Sequence, residues 1–350
     1  MKKINIIGGG ITGCFLSNFL KDSYDVHLYE KEDVLGGLCH TYKTLEGYKY
    51  QKTSQVIHTN DKWIIDLISN YIQLNEVIYD VSIDPLFDLR YYKFPFDNES
   101  INSMPWHWRE AIELDLENAK GNTANNIKDL IINYYGETIF DKFFEGLLKK
   151  TYGKSSHSLD YVDWFRRYLR PVEYNGYYSE KYQYFPVDIG YNDLFNKLTD
   201  GVNVHYNSDI QYRDLDNDNI IILTTRPDLF FYGEEKLEYS TASFDIDTAV
   251  YDSRKSDSMI FPNYTPFLSI NQFGKFYNGE KNVVVKQYPK GEDLVYPIPR
   301  KKNIKMYNSI VKEFNNVYFA GRFGSYNMLD IADIVRQTNQ IAAQIKQRNN

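Results

Sequence analysis

Ile4 to Ile7 is a short run rich in β-branched residues, the pattern of a strand. The turn Gly8-Gly9-Gly10-Ile11-Thr12-Gly13 separates it from a helical repeat through Phe15, Leu16, Phe19 and Leu20, after which Asp25 to Tyr29 reads as a second strand. Strand, glycine turn, helix and strand in about 30 residues make a βαβ half-unit. A helical period through Trp63, Ile64, Leu67, Ile68 and Tyr71 predicts a helix over about 61–74, and residues 78–96 look extended until Phe94-Pro95-Phe96 stops them. Between 100 and 150 the period is helical again, through Ile127, Leu130, Ile131 and Tyr134 and then Ile139, Phe143, Phe144 and Leu147. Tyr174 to Phe185 is extended and dense in tyrosine, Pro186 to Gly190 punctuates it, and a helix is expected over about 192–198. Residues 240–300 are β-rich, Val317 to Ala320 is a strand, and Asp330 can cap a closing helix through Ile331, Ile334, Val335, Thr338 and Ile341.

A chain of 350 residues is too long for one simple core and predicts two or three structural units. No apolar run approaches the roughly 18 residues of a membrane span, and Met1-Lys2-Lys3 leads straight into the first strand without a secretory leader, so the expected location is cytoplasmic. The two cysteines, Cys14 and Cys39, have no metal-ligand or redox spacing. A formal charge of -7 argues against nucleic acid, so an anionic ligand must be met by a few placed arginines. The 32 Tyr and 21 Phe read mainly as composition shared with abundant Asn, Ile and Lys, and only secondarily as stacking surfaces.

The glycine turn carries the first candidate chemistry. Gly8, Gly10 and Gly13 occupy GxGxxG positions between strand and helix, where backbone N–H groups reach a pyrophosphate at the positive end of the helix. Glu30 closes the second strand, placed to accept hydrogen bonds from ribose hydroxyls. Gly36-Gly37 follows six residues later, a continuation that favours FAD over NAD. Phe319-Ala320-Gly321-Arg322, with Asp330 and the last helix, offers a positive helix end near a flavin pyrimidine; a plain terminal βα unit explains the same residues.

In collinear order, several further segments resemble motifs of the UDP-galactopyranose mutase family. They are His58-Thr59-Asn60-Asp61-Lys62, Phe94-Pro95-Phe96, Gly136-Glu137, Tyr178-Ser179-Glu180-Lys181-Tyr182-Gln183, Pro186 with Gly190-Tyr191, Tyr288-Pro289, Tyr296-Pro297, and Gly321-Arg322 through Tyr326 to Asp330. The family consists of flavoenzymes that convert a nucleotide-linked pyranose into its furanose, and the resemblance spans nearly the whole chain. It implies that N5 of reduced FAD is the nucleophile at the anomeric carbon, so no Ser/His/Asp triad or carboxylate pair is required. Arg170, nine residues before Ser179, matches an arginine that clamps the pyrophosphate, a role suited to a bidentate guanidinium. Tyr182, Tyr296 and Tyr326 match tyrosines near the diphosphate, Tyr152 stands where a tryptophan usually flanks the uracil, and Arg322 matches an arginine beside the flavin.

Fingerprint and resemblance together imply cofactor contacts from Gly8, Gly10, Ile11, Thr12, Gly13, Glu30, Lys31, Gly36, Gly37, Leu38, Gln55, His58, Ile210, Gly321, Arg322, Asp330 and Ile331. They imply substrate contacts from Tyr152, Arg170, Tyr182, Tyr296 and Tyr326, and catalysis resting on Arg170, Tyr296, Tyr326 and His58, with no metal. Three positions depart from the family pattern. Gln55 replaces a flavin-facing histidine, Leu38 replaces an asparagine, and Ser269 stands where a second pyrophosphate arginine is expected. Losing one charge-assisted phosphate contact costs on the order of 1.5–3 kcal/mol, and Arg300, Lys301 or Lys302 are the cations available to offset it. These departures suggest an outlying member, with UDP-galactose as the first substrate expected and a different nucleotide sugar as the alternative.

The expected fold is mixed α/β. A Rossmann-type FAD-binding domain is drawn from residues 1–63, 192–239 and 312–350, with a helical insertion over 78–150 and a mostly antiparallel β substrate domain from 64–77, 151–191 and 240–311. The expected partner is a nucleotide-sugar substrate, with NAD(P)H as a transient reductant, a homodimer as one option, and neither nucleic acid nor membrane. An FAD oxidoreductase of the amine-oxidase or desaturase type shares the N-terminal motifs and is the alternative. A flavin-binding protein without activity is a third reading, prompted by Gln55 and Ser269.

Overall fold

The computed structural model describes residues 1–119, 123–160, 169, 176–187, 190–216, 218–250, 256–277 and 281–348. The chain divides into two units, Met1–Val77 with Glu180–Glu238 and Lys302–Asn350, and Ile78–Ser179 with Tyr239–Lys301.

The first unit is built on the predicted βαβ element: β1 (Lys3–Ile7), α1 (Ile11–Leu20) and β2 (Asp25–Tyr29). Its five strands run in the order Asn203–His205, β2, β1, Ile220–Leu223 and Val317–Phe319. Every pair is parallel. Period-two alternation sends Ile4, Ile6 and Ile222 to one face and Ile7, Ile221 and Leu223 to the other. The first face is covered by α1 and by the helix Ile331–Arg348, through Phe15, Leu16, Leu20, Ile334 and Val335. Each large apolar side chain buried there contributes about 1.5–3 kcal/mol. Asp330 caps that helix as expected, its Oδ1 accepting the N–H of Asp333 at 2.8 Å.

A second, three-stranded antiparallel sheet in this unit joins Ile57–Thr59, Tyr182–Pro186 and Leu74–Glu76. The adjoining helix is Lys62–Ser69, shorter than the predicted span. It buries Ile64, Ile65 and Ile68 in the same core as α1. Residues 64–77, expected in the β-rich domain, therefore belong with the nucleotide-type fold, because their apolar face has its partners there.

The second unit holds a seven-stranded sheet in the order Asp293–Pro297, Tyr239–Val250, Lys281–Pro289, Ser269–Gln272, Ser258–Ile260, Val81–Ile83 and Tyr92–Lys93. It is antiparallel except where Ser258–Ile260 lies parallel to Val81–Ile83. Helices Asn98–Asn102 and Ile127–Tyr135 start on capping residues Asp97 and Asn126. Phe96, Tyr135, Phe140, Phe143 and Phe144 are each at most 1% exposed, so much of the aromatic surplus is core rather than ligand surface. The stretch expected as a separate helical insertion opens with two strands of this sheet, and helices and sheet form one unit.

Candidate functional site

The glycine turn between β1 and α1 shows which positions are closed by packing and which are left open. A β-carbon at Gly13 would stand 2.0 Å from the Gly8 carbonyl oxygen, and one at Gly8, whose φ is +103°, would meet Thr224 Oγ1 at 2.5 Å. Gly10 differs: its φ is an ordinary -67° and nothing lies within 4 Å of a β-carbon placed on it. Gly10 is also the N-cap of α1, with no side chain capping the helix and no acidic residue in its first turn. An open space over an uncapped helix N-terminus is what a pyrophosphate requires.

Glu30 stands beside that turn. It is 8% exposed, with Oε2 accepting the Gly9 N–H at 2.7 Å and Oε1 accepting the Glu32 N–H at 3.0 Å. Burial raises its pKa above the ordinary carboxylate value, although both N–H bonds oppose the shift. Its backbone is pinned by the edge strand, through Glu30 N–H to His205 O at 2.9 Å and Ser208 N–H to Glu30 O at 2.8 Å.

The second glycine pair folds onto the first. Gly36 N–H donates to Gly9 O at 2.8 Å, and a β-carbon on Gly37 would lie 3.7 Å from Gly10 Cα. Gly36, at φ +112°, has no room for a side chain because Phe195 Cε2 would be 2.3 Å away. The C-terminal stretch arrives at the same place: a β-carbon on Gly321 would meet Thr12 Oγ1 at 2.4 Å. Three stretches far apart in sequence thus meet at the N-terminus of α1, and the glycines and Glu30 fit a dinucleotide there.

The remaining cofactor candidates are mixed. His58 is 5% exposed, with Nδ1 3.3 Å from Glu180 Oε2 and Nε2 3.8 Å from Asp330 Oδ2. Gln55 donates through Nε2 to Thr53 Oγ1 at 2.6 Å. Arg322 is turned toward the Leu329 carbonyl, which accepts from Nε at 3.1 Å and from Nη2 at 2.8 Å. Leu38 lies in the short turn Gly37–Cys39, Lys31 is exposed and paired with Glu32, and Ile210 packs under the second sheet face. Both thiols are buried, and burial pushes Cys39 up to about 12 and Cys14 higher still, which leaves neither as a thiolate.

Among the substrate candidates, Tyr152 and Tyr296 come together in the second unit, with ring centroids 6.4 Å apart. Tyr182 and Tyr326 lie in the first unit. Tyr326, at φ +48°, donates its hydroxyl to Glu238 O at 2.6 Å and stacks on Tyr307 at 5.8 Å. Arg170 lies outside the described residues. Ser269 is 6% exposed and hydrogen-bonds Gln287 Oε1 at 3.3 Å. Of the cations named as substitutes, Lys302 pairs with Glu238 at 3.0 Å and Lys301 lies 3.8 Å from Asp160.

The sequence pattern missed several supporting residues. Thr224, whose Oγ1 donates to Ile7 O at 2.8 Å, closes the floor under Gly8. Phe195 fixes Gly36, and Gln337 accepts the Gly321 N–H at 2.7 Å. Each acts across a long sequence separation, and none carries a local motif.

Residues 142–328, more than half of the chain, match the family model described as UDP-galactopyranose mutase, and residues 6–71 match the NAD(P)-binding Rossmann-like domain. The chain is 21% identical over 360 residues to a probable UDP-galactopyranose mutase of Klebsiella pneumoniae, covering 94% of this chain and 91% of that one. It is also 21% identical over 393 residues to a dTDP-fucopyranose mutase of Escherichia coli, covering 100% of both. Its fold matches a crystal structure of reduced UDP-galactopyranose mutase with a TM-score of 0.83 at 17% identity, over 99% of this chain and 96% of that one.

Proposed function

The chain belongs to the UDP-galactopyranose mutase family, and from that membership we propose that it interconverts the pyranose and furanose forms of a nucleoside diphosphate hexose, using reduced FAD. UDP-galactose and dTDP-fucose, the sugars in the relatives' names, are the first two substrates to test. The observation that carries the reading is the family match over residues 142–328. It reaches far beyond the glycine fingerprint, which a flavin oxidase would share, and it includes the Tyr152–Tyr296 pair.

In this reading the open space at Gly10 and the uncapped end of α1 hold the cofactor's pyrophosphate, Glu30 takes a ribose, and Gly37, Gly321 and Arg322 border the rest. Bound there, a reduced flavin supplies a nucleophilic centre whose electrons are recovered within each turnover, so no reductant is consumed per product. The protein's own task is to bind and orient. Tyr152 stacks on the base, and Tyr182 and Tyr296 offer phenolic donors to the diphosphate. Tyr326 joins them once its hydroxyl turns from Glu238 O. Arg170 supplies the clamping charge, and NAD(P)H is the proposed transient source of electrons.

The test is incubation of dithionite-reduced protein with UDP-galactofuranose and, separately, dTDP-fucofuranose. Formation of the pyranose from either supports the proposal. Conversion of neither, or bleaching of oxidised flavin by an amine donor, counts against it.

A further inference from the structure

We propose that Lys150 is a positioning residue for nucleotide recognition, its ammonium locking the helix that ends in Tyr152 onto the loop 261–268. The assignment rests on the reading above, which gives Tyr152 and Tyr296 a ligand. Lys150 lies in the last turn of the helix Glu145–Tyr152. Its Nζ donates to Phe261 O at 2.5 Å, Phe267 O at 2.9 Å and Thr265 Oγ1 at 3.1 Å. All three ammonium donors are thus taken by neutral acceptors of a single loop.

The same loop also meets the helix at Gly146 and the turn Phe140–Phe144 before it at Lys142. A β-carbon on Gly146 would stand 2.2 Å from Asn263 Oδ1, and Asn263 Nδ2 donates to Lys142 O at 2.8 Å. Two residues apart on a helix, Lys150 and Tyr152 leave on different faces. Lys150 fastens one face to the loop, which fixes the angle at which the other presents Tyr152, 4% exposed, to Tyr296. The loop also leads directly into the strand Ser269–Gln272, so the lock fixes where Ser269 begins.

A lysine is a costly way to join two neutral surfaces. Burial pushes its pKa down to about 8, and no charged group contributes to that shift. Among the described residues, carbonyls and a hydroxyl meet the amine; Lys149, its neighbour on the helix, is exposed. As pH rises through about 8 the amine falls from three N–H donors to two, and one loop acceptor loses its bond. A purely structural staple would not make ligand binding follow that titration.

The experiment is calorimetric titration of the FAD-loaded protein with UDP and with dTDP between pH 6.5 and 9, for wild type, K150M and K150Q, with flavin content measured in each. Wild-type affinity is expected to fall across this range. K150M is expected to bind about tenfold more weakly at neutral pH with a flat profile, since it removes all three ammonium hydrogen bonds to the loop. K150Q, which keeps two N–H donors, is expected to lie between them and also be flat, and it carries the test should K150M not fold. Wild-type affinity in both variants, or a variant that keeps the wild-type pH profile, overturns the lock alone. If the wild-type protein takes up neither nucleotide, the nucleotide-sugar reading fails first and this assignment falls with it.

Discussion

Gly10 and Gly13 are the same amino acid in one motif, yet the structure gives them different work. Gly13 is closed by the Gly8 carbonyl, so Gly13→Ala should cost about 1–3 kcal/mol by overpacking, read as a lower unfolding midpoint. Gly10 has room and a φ that any residue adopts. Gly10→Val should fold with a near-wild-type midpoint and lose its flavin, checked by flavin absorbance per mole of protein; a variant that keeps FAD would show that the space is not the cofactor's. Glu30 adds a pH dependence. Its pKa is raised by burial, so it takes up a proton as pH falls before an ordinary glutamate would. Protonation weakens it as an acceptor for ribose hydroxyls, so FAD retention should fall as the pH is lowered in the wild type. E30Q should retain FAD more weakly at every pH and without that dependence, as equilibrium dialysis would report. These residues were legible in the sequence because their roles follow from local spacing. Thr224, Phe195 and Lys150 were not, because their partners are brought to them only by the tertiary fold.

Elements were legible where the apolar period was long and unbroken, as in α1 and Ile331–Arg348, and less so where a side chain redirects the backbone. Residues 78–96 read as continuously extended, but the Asp84 carboxylate accepts the N–H groups of Leu86, Phe87 and Leu89 at 3.0, 2.7 and 3.0 Å. That turn splits the stretch into Val81–Ile83 and Tyr92–Lys93, with Phe87 and Leu89 at positive φ, where propensity would not place them. The helix Pro227–Tyr232 is anchored in a comparable way. Asp228, fully buried, accepts from Arg226 Nη2 at 2.7 Å and from the N–H groups of Lys236 and Leu237 at 2.8 and 2.9 Å. Burial alone would raise its pKa, but the Arg226 guanidinium and the two N–H groups outweigh it and hold the carboxyl below the usual range. A depressed folded-state pKa stabilises the protein above the unfolded value and ceases to do so as pH falls through the folded one. D228N should therefore lose about 3–5 kcal/mol at neutral pH, with the gap to wild type closing in strong acid, as denaturant titrations at both pH values would show.

At the scale of the whole molecule, assembly of one parallel sheet from three distant stretches was readable because each stretch bears its own marker: the glycine turn, the helix after Gly190, and the strand before Gly321. The boundaries between units were harder to read. Residues 64–77 look like a helix and a strand in either setting, and only the burial of Ile64, Ile65 and Ile68 against α1 assigns them. Three expected domains became two units because Val81–Ile83 and Tyr92–Lys93 are the last two strands of the larger sheet, a pairing that local pattern does not encode. No helix among the described residues is long and apolar enough to cross a membrane. The proposed function comes down to one claim: a ring-isomerising enzyme that needs reduced flavin and consumes no electrons. The most direct measurement is an NMR time course of the FAD-loaded protein with UDP-galactofuranose or dTDP-fucofuranose, run after reduction and again with the flavin oxidised. The account predicts conversion to the pyranose by the reduced sample alone, through many turnovers on a single reduction. Equal rates in both redox states, or one product per reduction, would contradict it.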